Sequence, residues 1–396
     1  MTGGTACNFI SNFGQDSSFA GNKAPQGNTD DNGVGDFFYA PPSGYLALCT
    51  ANLPDPAIDP AQDDVPADYF NTVTYTGNGS TQSVTVGWQP DLIWGKARNA
   101  AFSHALHDAV RGFGNRLVSN DTAAESFRTD AFQATAVDST GFNLGSQGDL
   151  NYSGNTMVAW NWLAGNGTSS NTDGSITSTV SVNEKAGFSI VSYTGNGTAG
   201  ATIGHGLSNA PDVIIFKRRD AVTDWHLYHS SITNANTTLA YLNKTNAPAS
   251  TNAFLNSTYP TSSLITLGTG AGLNGGSMLC YVFHSVEGYS KFGSYTGNGS
   301  NDGPFIYCGF RPALFLTKRT DSTSDWQLLD TSRDTYNAAD AYLKPNTSGA
   351  EATGGPHDFV SNGFKIRNTG GSQNASGGTY IFMAFAENPF KYANAR

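Results

Sequence analysis

The chain has 396 residues, of which 13% are charged and 12% aromatic, with 46 glycines and a net charge of −10. The aromatic content supplies apolar area for packed cores and argues against disorder. The acidic balance offers no basic stripe to neutralise phosphates, which argues against nucleic-acid binding and against an anionic membrane surface. No run approaches the ~20 apolar residues that span a bilayer. Residues 1–7 lack the basic and apolar regions of a secretory leader. That combination fits a virion component released by cell lysis, and equally well a fragment cut from a longer chain.

Residues 1–50 differ in character from the rest of the chain. Asn12-Phe13-Gly14-Gln15-Asp16 leads into a polar loop, and residues 36–49 read as a strand with an aromatic face (Phe37, Phe38, Tyr39, Tyr45). About 50 residues are too few for an independent core. The loop Asn28-x-Asp30-x-Asn32-Gly33-x-Gly35-Asp36 has the alternating oxygens and central glycine of a calcium loop without its closing glutamate. Calcium is the one cofactor the sequence leaves open, and a plain polar turn is the preferred reading. Residues 51–66 carry four prolines and several acids and read as a semi-rigid linker.

The remainder is built on an internal repeat. Tyr75-Thr76-Gly77-Asn78-Gly79 returns at Tyr193 to Gly197 and at Tyr295 to Gly299. Each copy comes after a short β-rich lead-in beginning at Phe70, Phe188 or Phe292. Each precedes a strand opened by proline and closed by lysine: Pro90 to Lys96, Pro211 to Lys217, Pro312 to Lys318. Asp108/Arg111 and Asp330/Arg333 occupy matching places in the first and third copies, where the second has His229 and Ile232. Each copy closes on a glycine turn and an apolar run ending near Trp160, Phe283 or Phe385. Such near-continuous runs suit strands buried on both faces. The Asn-Gly step suits a tight turn, because glycine supplies positive φ cheaply. A short helix is expected over residues 100–111. Residues 166–186, rich in Gly, Ser, Thr and Asn, read as a second linker or a long hairpin.

The pattern predicts an all-β chain: three tandem β-sandwich repeats of jelly-roll or concanavalin-like type at 67–165, 187–287 and 288–396.

Chemistry is sparse. The four cysteines form no C-x-x-C pair, and Cys280 and Cys308 sit in apolar strands as small buried hydrophobes. No zinc pattern, G-x-S-x-G or phosphate-binding loop occurs. The glutamates Glu125, Glu184, Glu287, Glu351 and Glu387 are scattered, whereas glycoside hydrolysis needs paired carboxylates across a cleft. Asp220/Asp224 and Asp321/Asp325 recur at matching positions, which favours a structural role. Asp108/Arg111 and Asp330/Arg333 read as ion pairs pinning a loop. Trp225 and Trp326 stand at the same spacing after Lys217 and Lys318, with His104 there in the first copy. They are the only ligand-binding candidates, as sugar-stacking rings, although matched core aromatics are the preferred reading.

The repeat resembles a family of uncharacterised phage domains found in tail fibres and other virion proteins. The residues carrying the likeness are Tyr75 to Gly79, Trp88 to Arg98, Asp108-Ala-Val-Arg-Gly112 and Trp160-Asn-Trp162. Asn12 to Asp16, with Pro41-Pro-Ser-Gly-Tyr-Leu-Ala-Leu48, looks like the end of a SPRY-type, concanavalin-like domain. The resemblance implies a non-enzymatic phage virion protein, a tail or surface fibre attaching to host glycans. Its implied partners are host polysaccharide or protein and other virion proteins, and its implied assembly is a homotrimer. A structural or capsid-decorating role and a glycan depolymerase are the alternatives. An exposed aromatic patch on one repeat would favour binding over spacing.

Overall fold

The computed structural model describes residues 10–146 and 148–393. The chain divides into two compact units, Met1–Pro56 and Ala57–Arg396. Residues 10–56 consist of turns, one isolated bridge between Asn28 and Phe37, and a 3-10 turn at Thr50–Asn52. The strand expected over 36–49 does not form. Tyr39, Tyr45 and Leu48 are instead well exposed, and among the described residues this segment has no partner strand to turn an aromatic face toward. Asp30 accepts from the backbone N–H groups of Asn32, Val34 and Ala47 and from the Asn52 side chain, so its oxygens hold a turn together. Among the described residues no cluster of potential metal ligands occurs.

The larger unit is all-β. One four-stranded antiparallel order recurs three times. In the first repeat it is Phe70–Thr76, Thr156–Trp162, Leu92–Ala97, Ala105–Asp108. In the third it is Ser290–Thr296, Thr379–Pro389, Phe310–Arg319, Gln327–Asp330. The second repeat has Phe188–Thr194, Ser277–Phe283, Val213–Arg218 and His226–His229 in that order, within a sheet of eight strands. The polar stretch after the first repeat forms a hairpin, Ser169–Asn171 with Ser178–Asn183, added to one edge of this sheet. The expected helix over 100–111 is replaced by strand Ala105–Asp108, whose four residues are all buried. Ile58, inside the expected linker, is fully buried in the main core cluster.

Each inner sheet has two covered faces. In the first repeat Ile93 and Ala159 point toward a small outer sheet carrying Val84, Phe132 and Phe142. The alternate residues Leu92, Trp94, Trp160 and Trp162 point the other way, into a core shared by all three repeats. The third repeat divides likewise, with Phe315 and Phe382 outward and Leu314, Leu316 and Phe385 inward. This two-sided burial is why the strands read as unbroken apolar runs. Register places Phe70 opposite Trp162 and Phe188 opposite Phe283. In the third copy Ser290 lies opposite Phe385, so the lead-in aromatic there, Phe292, sits two residues further along.

Equivalent rings meet at the centre. Trp162, Phe283 and Phe385 contact one another edge-to-face, with centroids 6.5 Å, 5.7 Å and 5.8 Å apart. Such pairs contribute roughly 0.5–1.5 kcal/mol each beyond area burial. The central void has about 20 Å³ and an apolar lining. Cys280 and Cys308 are buried free thiols and Cys49 an exposed one; Cys7 lies outside the described residues.

The Tyr-Thr-Gly-Asn-Gly loops crown the repeats. The backbone N–H groups of Asn78, Asn196 and Asn298 donate to the side-chain oxygens of Asn151, Asn274 and Asn374. Each of these buried asparagines ends a one-turn helix and uses its amide N–H₂ to bridge two further carbonyls. The hydroxyls of Tyr75, Tyr193 and Tyr295 donate to the carbonyls of Leu150, Leu273 and Gln373, each one residue before its asparagine. A Cβ on Gly77, Gly195 or Gly297 would collide with the backbone of that pinning segment. Gly79, Gly197 and Gly299 adopt φ of +67°, +72° and +68°. The motif is thus explained by backbone geometry.

Because the three inner faces cover one another, Phe385→Ala should destabilise the whole unit by about 3–5 kcal/mol. Urea unfolding monitored by Trp fluorescence and far-UV circular dichroism should show one shifted transition. A separate early transition confined to the third repeat would disprove the shared core.

Candidate functional site

The junctions between repeats gather most of the polar side chains that the sequence singles out. Trp225 and Trp326 are 0% and 1% exposed. Their indole N–H groups donate across the junctions to the carbonyls of Val118 and Tyr241, at 2.8 Å each. Neither presents a face to a sugar, and their burial supports the core reading. His104, at the equivalent place, lies 3.1 Å from the Lys344 carbonyl and closes the ring of three junctions.

The aligned lysines Lys96, Lys217 and Lys318 are fully buried and bound to carbonyls. Lys217 reaches Thr122 across the first junction and Lys318 reaches Thr245 across the second. Burial pushes each of the three down to about 8.

Two junctions hold the same buried ionic network. Asp108 accepts from Arg111 (2.6 Å) and from Tyr281 of the second repeat (2.8 Å). Arg111 also binds Glu125, which is held bidentately by Arg219. Between the third and first repeats, Asp330 accepts from Arg333 (2.6 Å) and Trp160 (2.9 Å), and Glu351 bridges Arg333 to Arg98. Burial raises the pKa of Glu125 and Glu351, but hydrogen bonds and charges from the paired arginines outweigh it, and both sit below the ordinary carboxylate value. The Asp-x-x-Arg pairs therefore act as junction locks. Their partners Glu125, Arg219, Glu351 and Arg98 are not recognisable as partners in the sequence, because they come from other segments.

The paired aspartates are also internal braces. Asp220 and Asp321 bind Arg218 and Arg319, while Asp224 and Asp325 bind Lys244 and Lys344.

One surface feature escapes the reading of the sequence. On the edge strand Phe305–Tyr307 of the third outer sheet, Phe305 and Tyr307 are 47% and 51% exposed, while Ile306 between them packs against the core. The sheet order is Phe305–Tyr307, Gly363–Ile366, His357–Val360. Register aligns two outward rows, Phe305–Lys365–Asp358 and Tyr307–Gly363–Val360. Lys365 is paired with Asp302 at 2.8 Å. The two rings are about 7 Å apart along the strand. In the first repeat the equivalent outward residues, flanking Val84, are Ser83 and Thr85. The available signal is this substitution of aromatic for hydroxyl residues within a matched strand.

The model of a domain of unknown function, DUF7483, matches residues 65–389, a span that takes in all three repeats together. No curated protein matches.

The junction geometry leads to two expected outcomes. Arg333→Met leaves the fully buried Asp330 without its paired cation, while Glu351 keeps Arg98, and should cost about 3–5 kcal/mol, read as a lowered urea midpoint; a change within a few tenths would refute the locking role. The buried lysines deprotonate near pH 8 when folded but only near 10.4 when unfolded. The unfolded chain then binds more protons in that window, so their contribution grows as pH rises and is lost as pH falls through about 8. The stability of wild type relative to Lys217→Met/Lys318→Met should therefore increase from about pH 8 toward about pH 10, with the buried thiols contributing equally to both. A pH-independent difference would show that these lysines are not depressed.

Proposed function

The chain thus belongs to the DUF7483 family, whose function is unknown, and we propose that it is a non-enzymatic phage virion protein whose third repeat binds host-surface glycan. The observation that carries this reading is the exposed Phe305/Tyr307 pair on the edge strand of the third outer sheet. Aromatic faces stack on the apolar faces of sugar rings, and two rings on one strand face present successive contacts with little side-chain entropy to lose. Lys365 and Asp358, in the same row as Phe305, supply hydrogen-bonding groups beside the rings. The resemblance of the repeats to domains of tail fibres supplies the setting. Avidity among copies of the protein on a particle would raise a weak single-site affinity.

The test is binding of fluorescently labelled full-length protein to candidate host bacteria, before and after enzymatic stripping of surface polysaccharide. Saturable binding that is lost on stripping, and lost again in Phe305→Ala/Tyr307→Ala with an unchanged unfolding midpoint, is the expected result. Binding unaffected by the double substitution would remove the aromatic face from the reading. No binding to any host would leave a spacer or decorating role, and release of shortened polysaccharide would mean a depolymerase.

A further inference from the structure

The junction between the second and third repeats is built differently from the other two. Equivalence of the strands places His229, Ile232 and Pro248 where the first repeat has Asp108, Arg111 and Glu125. It likewise places Thr320 and Met383 of the third repeat where the second has Arg219 and Tyr281. All five positions of the lock have changed together. Burial pushes His229 down to about 4, so it is neutral. Its Nδ1 accepts the Ser231 N–H, and Nε2 lies 3.1 Å from the Phe382 carbonyl, which makes Nε2 the protonated nitrogen. A neutral imidazole needs no arginine, and Ile232 stands in the arginine's place.

The replacements do not refill the space. At the first junction, Glu125 and Arg219 leave a residual pocket of about 170 Å³ beside Asp220 and Ser277. At the second, the same position beside Asp321 and Thr379 opens into a cleft of about 530 Å³. That lies within the ordinary size range of small-ligand sites. Ser231 and Thr233 of the second repeat face Ser294, Thr296, Thr320 and Thr379 of the third across it. No lysine or arginine is among the residues lining it, and its one carboxylate, Asp321, is held by Arg319 at 2.8 Å. Ile232, Pro248 and Ile381 give the walls an apolar component.

We propose that this cleft is a binding site for a neutral, polyhydroxylated ligand, a mono- or disaccharide unit, seated where the other junctions carry an ionic lock. Hydroxyl side chains donate and accept, so they match a ligand whose own hydroxyls do both. The wall chemistry selects against anions, which would find no cation, and the apolar residues cover the C–H face of a sugar. The inference is independent of the aromatic face of the third repeat, since it rests on the loss of the lock.

The test is saturation-transfer NMR of the full-length protein with maltose, lactose and N,N′-diacetylchitobiose, each at millimolar concentration. The variant His229→Asp/Ile232→Arg/Pro248→Glu/Thr320→Arg restores the four charged members of the lock and should weaken binding by on the order of tenfold or more. Thr233→Trp, an exposed position at the cleft, obstructs it without touching the core and should give the same loss if the rebuilt junction fails to fold. Phe305→Ala/Tyr307→Ala should leave this binding in place. The proposal is overturned if none of the three sugars binds, if Thr233→Trp binds them unchanged, or if only the aromatic substitutions abolish binding.

Discussion

Mutual coverage of the three inner sheets is the constraint on which the rest depends. A β-sheet with an apolar face must bury it, and here each repeat offers two such faces but carries only one small outer sheet. The second face can be covered only by the other repeats. The meeting of Trp162, Phe283 and Phe385 is the geometric result, because equivalent positions converge when three similar units close around a common core. Unlike a solenoid, in which each repeat touches only its neighbours, this arrangement makes every repeat necessary to the other two. A family whose matched span covers all three repeats together is consistent with that dependence.

Closure creates three junctions, and their polar groups must be satisfied there. Two are met by the same buried network, Asp–Arg–Glu from one repeat and an arginine plus an indole or phenol from the next. Buried ion pairs are costly to break, and their net contribution over apolar packing is small. What they provide is register: a buried Asp that must meet Tyr281 or Trp160 fixes how one repeat docks on its neighbour. The second junction is held in register by hydrogen bonds of His229, Trp326 and Lys318. Having released the ionic lock, it carries a cleft of about 530 Å³ between the second and third repeats.

Much of this is legible in the sequence and some is not, for physical reasons. The all-β class follows from apolar runs between Gly/Asn turns, and the matched lysines, tryptophans and Asp-x-x-Arg pairs from spacing. Spacing does not say what lies opposite a residue. Matched spacing favours a core role for Trp225 and Trp326, but only the placement of the next repeat over them excludes an exposed sugar platform. Ala105 to Asp108 lies inside a stretch that reads as helical, yet its neighbour Leu92–Ala97 offers a ladder, and tertiary pairing overrides local preference. The pins of the Tyr-Thr-Gly-Asn-Gly loops, Asn151, Asn274 and Asn374, lie more than seventy residues downstream of the loops they hold. An asparagine in a polar turn gives no sign of that from its own surroundings.

The proposed binding surfaces both fall in departures from the repeat. Residues held in common, the loop glycines, the junction lysines and the pinning asparagines, answer structural demands that every copy shares. A ligand needs no threefold site, so a binding surface is free to arise wherever one copy is released from a shared demand. The outer strand of the first repeat shows Ser83 and Thr85 to solvent while that of the third shows Phe305 and Tyr307, with Val84 and Ile306 keeping the same inward role. The second junction has exchanged a charged lock for a neutral one at all five positions. On the outer strand the buried member is kept and its solvent-facing neighbours differ, whereas at the second junction the buried positions themselves have changed, so that junction docks through different chemistry.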